Sequence, residues 1–194
     1  MKFKTLIIDP PWPYDRTSSH GGLKGYADQH YEPLSIADLA ALPVGDVMHP
    51  DDAYVLMWAT GPFLPAAAGL FAAWGFKYIT SAVWVKTTGI GVGYWFRGDH
   101  EHILVGKRPK AKSFRTGRRS VFRTDAPRGR HSAKPAFLHQ VAEKNLPGKY
   151  LEIFARQSRP GWTTIGNEAP GDGRDIRDTM KLLRTCIELE TSND

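Results

Sequence analysis

Leu6-Ile7-Ile8-Asp9-Pro10-Pro11-Trp12 joins a short apolar run to an acid, two prolines and an aromatic ring. Unbroken apolar residues after Lys4 and Thr5 suit a strand covered on both faces, as in a parallel sheet. The prolines end it, because each lacks an N–H, fixes its own φ and restricts the residue before it. Asp9 is thereby presented at the carboxyl end of the strand, where open α/β sheets bind ligands. Such a mouth suits the presentation of an exocyclic amino group for alkylation. The lone pair of that amine is conjugated with its ring, so it is a poor nucleophile. A carboxylate accepting one N–H and a nearby backbone carbonyl accepting the other would draw the nitrogen toward tetrahedral geometry. Trp12 would offer a face for base stacking, worth roughly 1–3 kcal/mol per base. The same residues also fit a plain strand exit with a proline turn, or a Pro-rich ligand spanning Pro10 to Tyr14.

Outward from this stretch, apolar runs recur in alternating order. Strands are expected at Lys4 to Ile8, Ala53 to Ala59, Tyr78 to Lys86, His102 to Gly106, Tyr150 to Phe154 and Thr163 to Ile165. Helices are expected at Ser35 to Leu42, Pro65 to Trp74, Lys134 to Lys144 and Asp175 to Glu190. Ser35 with Asp38 three residues on resembles a capping box. Pro65 suits a first helical turn and Gly75 a helical stop. This alternation predicts a three-layer α/β domain with a mostly parallel sheet, one domain over residues 1–194. Two long connections, about Trp12 to Leu34 and about Lys107 to Ala133, each follow a strand end and are of functional length. The first carries Tyr14, Arg16, His20, Tyr26, His30 and Tyr31 and reads as a lid or base-pocket wall.

The 194-residue chain can bury a substantial core. It has no apolar run of membrane-spanning length and no signal-like start, which predicts a cytoplasmic protein without membrane contact. One cysteine, Cys186, excludes an internal disulfide and a cysteine-based zinc cluster, and the seven histidines lack metal-ligand spacing, so no metal is expected. The net charge of +6 is concentrated: residues 107–130 carry ten Lys or Arg against Asp125 alone. A basic loop on a mildly acidic body is the footprint of a polyanion-binding surface, although such a run is often only solvated. Gly89-Ile90-Gly91-Val92-Gly93 follows a strand but leads into Tyr94-Trp95-Phe96-Arg97-Gly98 rather than a helix. It reads as a loop near the substrate, not as a phosphate cradle.

Further blocks stand in order after Asp9-Pro10-Pro11-Trp12. They are Tyr54-Val55-Leu56-Met57-Trp58-Ala59-Thr60-Gly61, Val83-Trp84-Val85-Lys86-Thr87, Glu101-His102-Ile103-Leu104-Val105-Gly106, Lys134-Pro135, Leu151-Glu152-Ile153-Phe154-Ala155-Arg156, Gly161-Trp162 and Ile165-Gly166-Asn167-Glu168. From about Thr5 to about Pro170 the chain resembles the MT-A70 family of S-adenosylmethionine-dependent N6-adenine methyltransferases. That resemblance implies a Rossmann-like methyltransferase fold in which the catalytic motif precedes the cofactor motifs, a permuted order. Methyl transfer to N6 of adenine in nucleic acid is then expected, with DNA favoured over RNA because the chain is compact. N4-cytosine methylation, or a non-catalytic nucleic-acid-binding subunit of the same fold, are the alternatives.

The resemblance implies catalytic roles for Asp9, Pro10, Pro11 and Trp12, and S-adenosylmethionine as cofactor. It assigns cofactor contacts to Asp9, Lys134, Phe154, Arg156, Ser158, Arg159, Asn167 and Glu168. With a nucleic-acid substrate implied, and with Phe114 and Phe122 inside the basic segment, the binding reading of residues 107–133 is preferred. Tyr14, Arg16, Lys107, Arg108, Arg115, Arg118, Arg119 and Arg123 are its expected contacts. A homodimer or a methyltransferase-like partner subunit is a further possibility. Family members carry a strand and turn before the Asp-Pro-Pro-Trp strand that this sequence lacks, and residues 171–177 are one candidate replacement.

Overall fold

Side-chain alternation along β1 (Thr5–Ile8) divides the molecule into two cores. Leu6 and Ile8 enter one and Ile7 the other, as the period of two in a strand requires. The structure is a computed structural model that describes residues 1–14, 33–88, 95–127, 133–166, 169 and 174–192. The other strands are β2 (Tyr54–Ala59), β3 (Lys77–Lys86), β4 (His100–Lys107), β5 (Val121–Thr124), β6 (Tyr150–Ile153) and β7 (Trp162–Ile165). The helices are α1 (Ile36–Ala41), α2 (Val44–Val47), α3 (Leu64–Ala73), α4 (Phe137–Asn145) and α5 (Ile176–Ser192). A 3-10 turn, Gly61–Phe63, leads into α3.

The strands form one seven-stranded sheet in the order β5-β3-β4-β2-β1-β6-β7. β1 pairs in parallel with β2 and β6, β6 with β7, and β3 with β5. β4 alone runs antiparallel, between β2 and β3. One consequence governs the site: β4 begins at the edge where β1, β2, β3 and β5 end. His102 lies opposite Ala59, while Lys107 lies opposite Tyr54 at the far edge.

On one face, Leu6, Ile8, Val55, Met57 and Ile153 pack against α1, α2, α3 and α5 through Leu39, Val47, Phe71 and Met180. On the other, Ile7, Leu56, Trp58, Trp84 and Ile103 pack against Leu138, Ala142 and Leu146 of the α4 layer. The three-layer α/β architecture with a mostly parallel sheet is therefore as the sequence indicates. Ser35 caps α1, its hydroxyl accepting the Asp38 N–H at 3.0 Å, and Gly75 leaves α3 with φ +74°. No helix among the described residues is long and apolar enough to cross a membrane.

One expectation needs correction. The segment after Lys107 is not one loop, because Val121–Thr124 adds to the sheet as β5 beside the upper half of β3. Phe114 and Phe122, whose presence in the basic segment favoured the nucleic-acid reading, pack against the second core. Phe114 lies edge-on to Tyr54 at 5.9 Å and Phe122 lies 4.4 Å from Phe137. They cover the sheet beside α4, which is why a strongly basic run still contains large rings.

Candidate active site

Asp9 leaves the end of β1 at the carboxyl edge of the sheet, and a line of alternating charges begins there. Lys134 donates from Nζ to Asp9 Oδ2 at 2.8 Å and lies 3.3 Å from Glu101 Oε2. Lys86 Nζ, from the end of β3, lies 2.7 Å from Glu101 Oε1. Each element supplies its member for a local reason. Pro135 keeps Lys134 out of helical conformation, so α4 starts at Phe137 rather than at Lys134 as expected, and Lys134 stays extended toward the strand ends. The antiparallel run of β4 brings Glu101, its second residue, to the same edge.

Glu101 is buried, and sequence reasoning assigned it no role. Its signal was present: it shares strand parity with Ile103, a core residue, and a charged side chain at a core-facing position needs a partner. The electrostatics follow from two carboxylates sharing one ammonium. Burial pushes the Asp9 carboxyl above its ordinary value, only partly offset by Lys134. Burial would likewise raise Glu101, but Lys134 and Lys86 outweigh it and hold the carboxyl below its usual range. For Lys134, burial disfavours the ammonium, yet the Asp9 and Glu101 carboxylates more than compensate and keep it firmly charged.

The aromatic wall departs from expectation. Trp12 stacks on Phe63, with centroids 5.2 Å apart and planes at 11°, and only 6% of it is exposed. It has little face left to offer a base in this structure. The accessible ring is Tyr14, 45% exposed, edge-on to Phe63 at 4.9 Å, with its hydroxyl 2.5 Å from Thr60 Oγ1. The Pro10 carbonyl accepts the Trp12 N–H at 2.9 Å and the Pro11 carbonyl accepts that of Leu34 at 3.3 Å. These bonds pin the tetrapeptide between β1 and the lead into α1.

At the end of β6, Phe154 is buried and has a left-handed backbone, φ +63°, unusual for a bulky residue. The reason lies across the strand end. Ala155 donates to the Ile165 carbonyl at 2.9 Å, and a Cβ on Gly166 would fall 2.1 Å from Ala155 O. This close approach turns the chain so that Arg156 follows within electrostatic reach of Asp9. Ser158 is exposed on the loop beyond. Arg159 is not brought to this edge: its guanidinium donates to both Glu143 carboxylate oxygens, at 2.8 and 3.2 Å. It lies beside Trp162, at the amino end of β7, where the same Glu143 accepts the indole N–H at 2.8 Å. Asn167, Glu168 and Arg16 lie outside the described residues, as do Gly89 to Gly93 and Gly171 to Gly173.

The basic residues divide by position. Lys107 ends β4 at the edge opposite Asp9, and Arg108 follows it. Lys107 donates to the Ala111 carbonyl at 2.5 Å, while Arg108 donates to Gly45 O at 3.1 Å and lies 4.7 Å over the Phe76 ring. Both serve packing there. Arg115, Arg118 and Arg119 are exposed on the strap crossing the sheet face, and Arg123 is exposed on β5, nearer the Asp9 edge.

The MT-A70 family model matches residues 3–168, which contain the Asp9–Lys134–Glu101–Lys86 charge line, the Trp12–Phe63–Tyr14 rings and the β6–β7 junction. The chain is 30% identical to the Type II methyltransferase M.MunI of a Mycoplasma species, covering 90% of this chain and 81% of that protein. It is 27% identical to the human N(6)-adenosine-methyltransferase catalytic subunit METTL3 and 26% identical to the Drosophila melanogaster N(6)-adenosine-methyltransferase MT-A70-like protein. Those alignments cover 88% of this chain but only 29% and 27% of the two relatives, so it spans under a third of their length. On the match over residues 3–168 the chain belongs to the MT-A70 family of S-adenosylmethionine-dependent methyltransferases.

Proposed function

We propose that this chain transfers a methyl group from S-adenosylmethionine to the N6 amino group of adenine in nucleic acid, with DNA favoured over RNA. The observation that carries the reading is Asp9 at the end of a parallel strand, raised by burial and held by a lysine that a second buried carboxylate shares. The donor set suits the cofactor. Asp9 and Glu101 complement an ammonium and a sulfonium, and Lys134 complements a carboxylate. Phe154 and Arg156 close the side toward β6, and the family resemblance adds Ser158, Asn167 and Glu168 to the set. When bound, S-adenosylmethionine supplies a methyl group on positively charged sulfur, an electrophile that needs no further activation.

The work of the protein is then orientation and electrostatic positioning. Asp9 Oδ2 is engaged by Lys134, leaving the other carboxylate oxygen for one N–H of the amine. The Pro10 carbonyl, already accepting from Trp12, keeps a second lone pair for the other N–H. The new N–C bond would form as the cofactor's S–CH3 bond breaks, its electron pair leaving with sulfur as a neutral thioether, and the extra proton of the now acidic nitrogen would pass to Asp9, whose raised affinity for protons fits that task. Trp12 and Phe63 form a rigid floor beneath the amine site, and Tyr14 is the ring available to the incoming base. An adenine within a duplex cannot reach this edge, so the base is flipped or already unpaired.

The preference for DNA follows the relative named as a Type II methyltransferase, which is matched over 81% of its own length, against 29% for the human relative named for adenosine. The deciding experiment incubates the protein with radiolabelled S-adenosylmethionine and single-stranded DNA, duplex DNA or RNA, then identifies the labelled nucleoside by mass spectrometry. N6-methyladenine that disappears in Asp9→Ala is the expected result. N4-methylcytosine would overturn the base assignment, and cofactor binding without transfer to any polymer would favour the non-catalytic alternative.

A further inference from the structure

Two large rings at the Asp9 edge of the sheet are given almost entirely to water. Trp95 is 95% exposed and Phe96 89%, and no other large hydrophobic side chain among the described residues is as open. Each ring is of a kind that ordinarily buries on the order of 150–250 Å². They belong to the connection between β3 and β4, which leaves the sheet at Lys86 and returns at His100. Its base is fixed by the Lys86 N–H donating to the Asp99 carbonyl at 2.7 Å. Lys86 is also the outer end of the charge line running through Glu101 and Lys134 to Asp9. Three residues separate Trp95 from Asp99, so the Trp95 Cα lies within about 14 Å of that anchor.

We propose that Trp95 and Phe96 form a stacking platform for an unpaired nucleobase next to the target adenine. The proposal rests on the nucleic-acid reading of the active site and deepens it. The chemistry of the patch favours a base over an apolar protein surface. Two consecutive flat rings are followed by the exposed cation Arg97, and the His100 and His102 rings pack 5.3 Å apart on the adjoining strand. The Asp99 carboxyl lies below its ordinary range chiefly through its hydrogen bond with His100, with a smaller contribution from Arg123 of β5, which places that cation nearby. Rings for stacking beside cations for phosphates are what single-stranded nucleic acid requires, and stacking tolerates any base because each has a π-face. When the target adenine leaves its stack, a neighbouring base loses a stacking partner, and this platform would replace it.

The test uses the full chain and a fluorescein-labelled single-stranded 12-mer containing one adenine. Trp95 is the one freely accessible tryptophan among the described residues, the other five being buried or partly buried. Binding of the oligonucleotide is therefore expected to quench the acrylamide-accessible emission. Trp95→Phe should lose that quench and keep the affinity, because it keeps a ring. The double variant Trp95→Ala/Phe96→Ala should bind roughly tenfold or more weakly per stacked base lost. Its KM for the oligonucleotide should rise, with kcat at saturation and cofactor affinity unchanged. Wild-type binding that the double variant retains in full overturns the platform and leaves the proposed reaction standing. A dimer that becomes a monomer in the double variant, with oligonucleotide affinity intact, overturns it in favour of a protein interface. A wild-type protein that neither binds nor methylates any nucleic acid overturns the proposed function, and this inference with it.

Discussion

Asp9 shares one ammonium with a second carboxylate, and that arrangement makes its protonation state a measurable part of the mechanism. If the carboxylate form holds the amine, activity is full above the Asp9 pKa and is lost as pH falls through it. Because burial raises that pKa, the acid limb of kcat should lie above the ordinary carboxylate value of 3.8. Lys134 opposes the rise, so Lys134→Ala, assayed at saturating cofactor, should move the limb to still higher pH. A limb that stays put in this variant would show that Asp9 is not the group being titrated. Glu101 carries the opposite sign. Its folded pKa is depressed, so the stability it contributes is full above about 4.5 and lost as pH falls through the folded value. Glu101→Gln leaves two lysines facing each other without their shared carboxylate, a change expected to cost about 3–5 kcal/mol. Urea unfolding at neutral pH measures that loss, and the variant's stability should then vary less between pH 5 and 3. Asp9 could be picked out from sequence because it sits in a short, chemically distinctive motif, and Lys134 only through the resemblance to the family. Strand parity with Ile103 marks Glu101 as a buried charge in need of a partner, but which partners it meets depends on which way β4 runs.

Elements with strong local signals appear where the sequence puts them. The β1, β2 and β6 runs are continuous and apolar, and α1 and α3 carry a serine cap, a first-turn proline and a terminal glycine. What escaped was short or conditional. Val121–Thr124 is four residues interrupted by an arginine within a basic run, and it becomes a strand only because β3 offers a free upper edge. Phe63 lies far in sequence from Trp12, so nothing local announces that it will cover the face expected to meet a base. The β6–β7 junction shows how an element's geometry can be tested apart from its chemistry. Gly166→Ala would place a methyl group 2.1 Å from the Ala155 carbonyl oxygen, and backbone must move because no side chain can yield. The expected cost is roughly 1–3 kcal/mol of stability. Displacing Ala155 also displaces Phe154 and Arg156 on either side of it, so cofactor affinity should fall more than turnover at saturating cofactor. Isothermal titration with S-adenosylmethionine beside a kcat measurement separates the two. An affinity equal to wild type would remove the β6 end from the cofactor site.

The charge distribution gains its meaning only from the assembled sheet. Along the chain, residues 107–130 form one basic block, but the antiparallel β4 starts that block at the edge away from Asp9 and β5 carries it back toward that edge. Arg108 is consumed by packing on Phe76 and Gly45, whereas Arg118, Arg119 and Arg123 remain exposed along the return path. The block should therefore split in function. Neutralising Arg118, Arg119 and Arg123 together should weaken duplex binding and flatten its salt dependence. If each meets one phosphate, the slope of log K against log salt changes by roughly 2–3. Cofactor affinity should be untouched, since none of the three reaches the Asp9 cluster. Arg108→Ala should do the reverse, lowering the unfolding midpoint and leaving the slope alone, because its cation already has protein partners. Titrations of labelled oligonucleotide over a series of salt concentrations distinguish the two variants. A slope that falls for Arg108→Ala and not for the triple variant would place the phosphate track at the opposite edge of the sheet, and a triple variant that loses cofactor affinity as well would make the strap part of the active site.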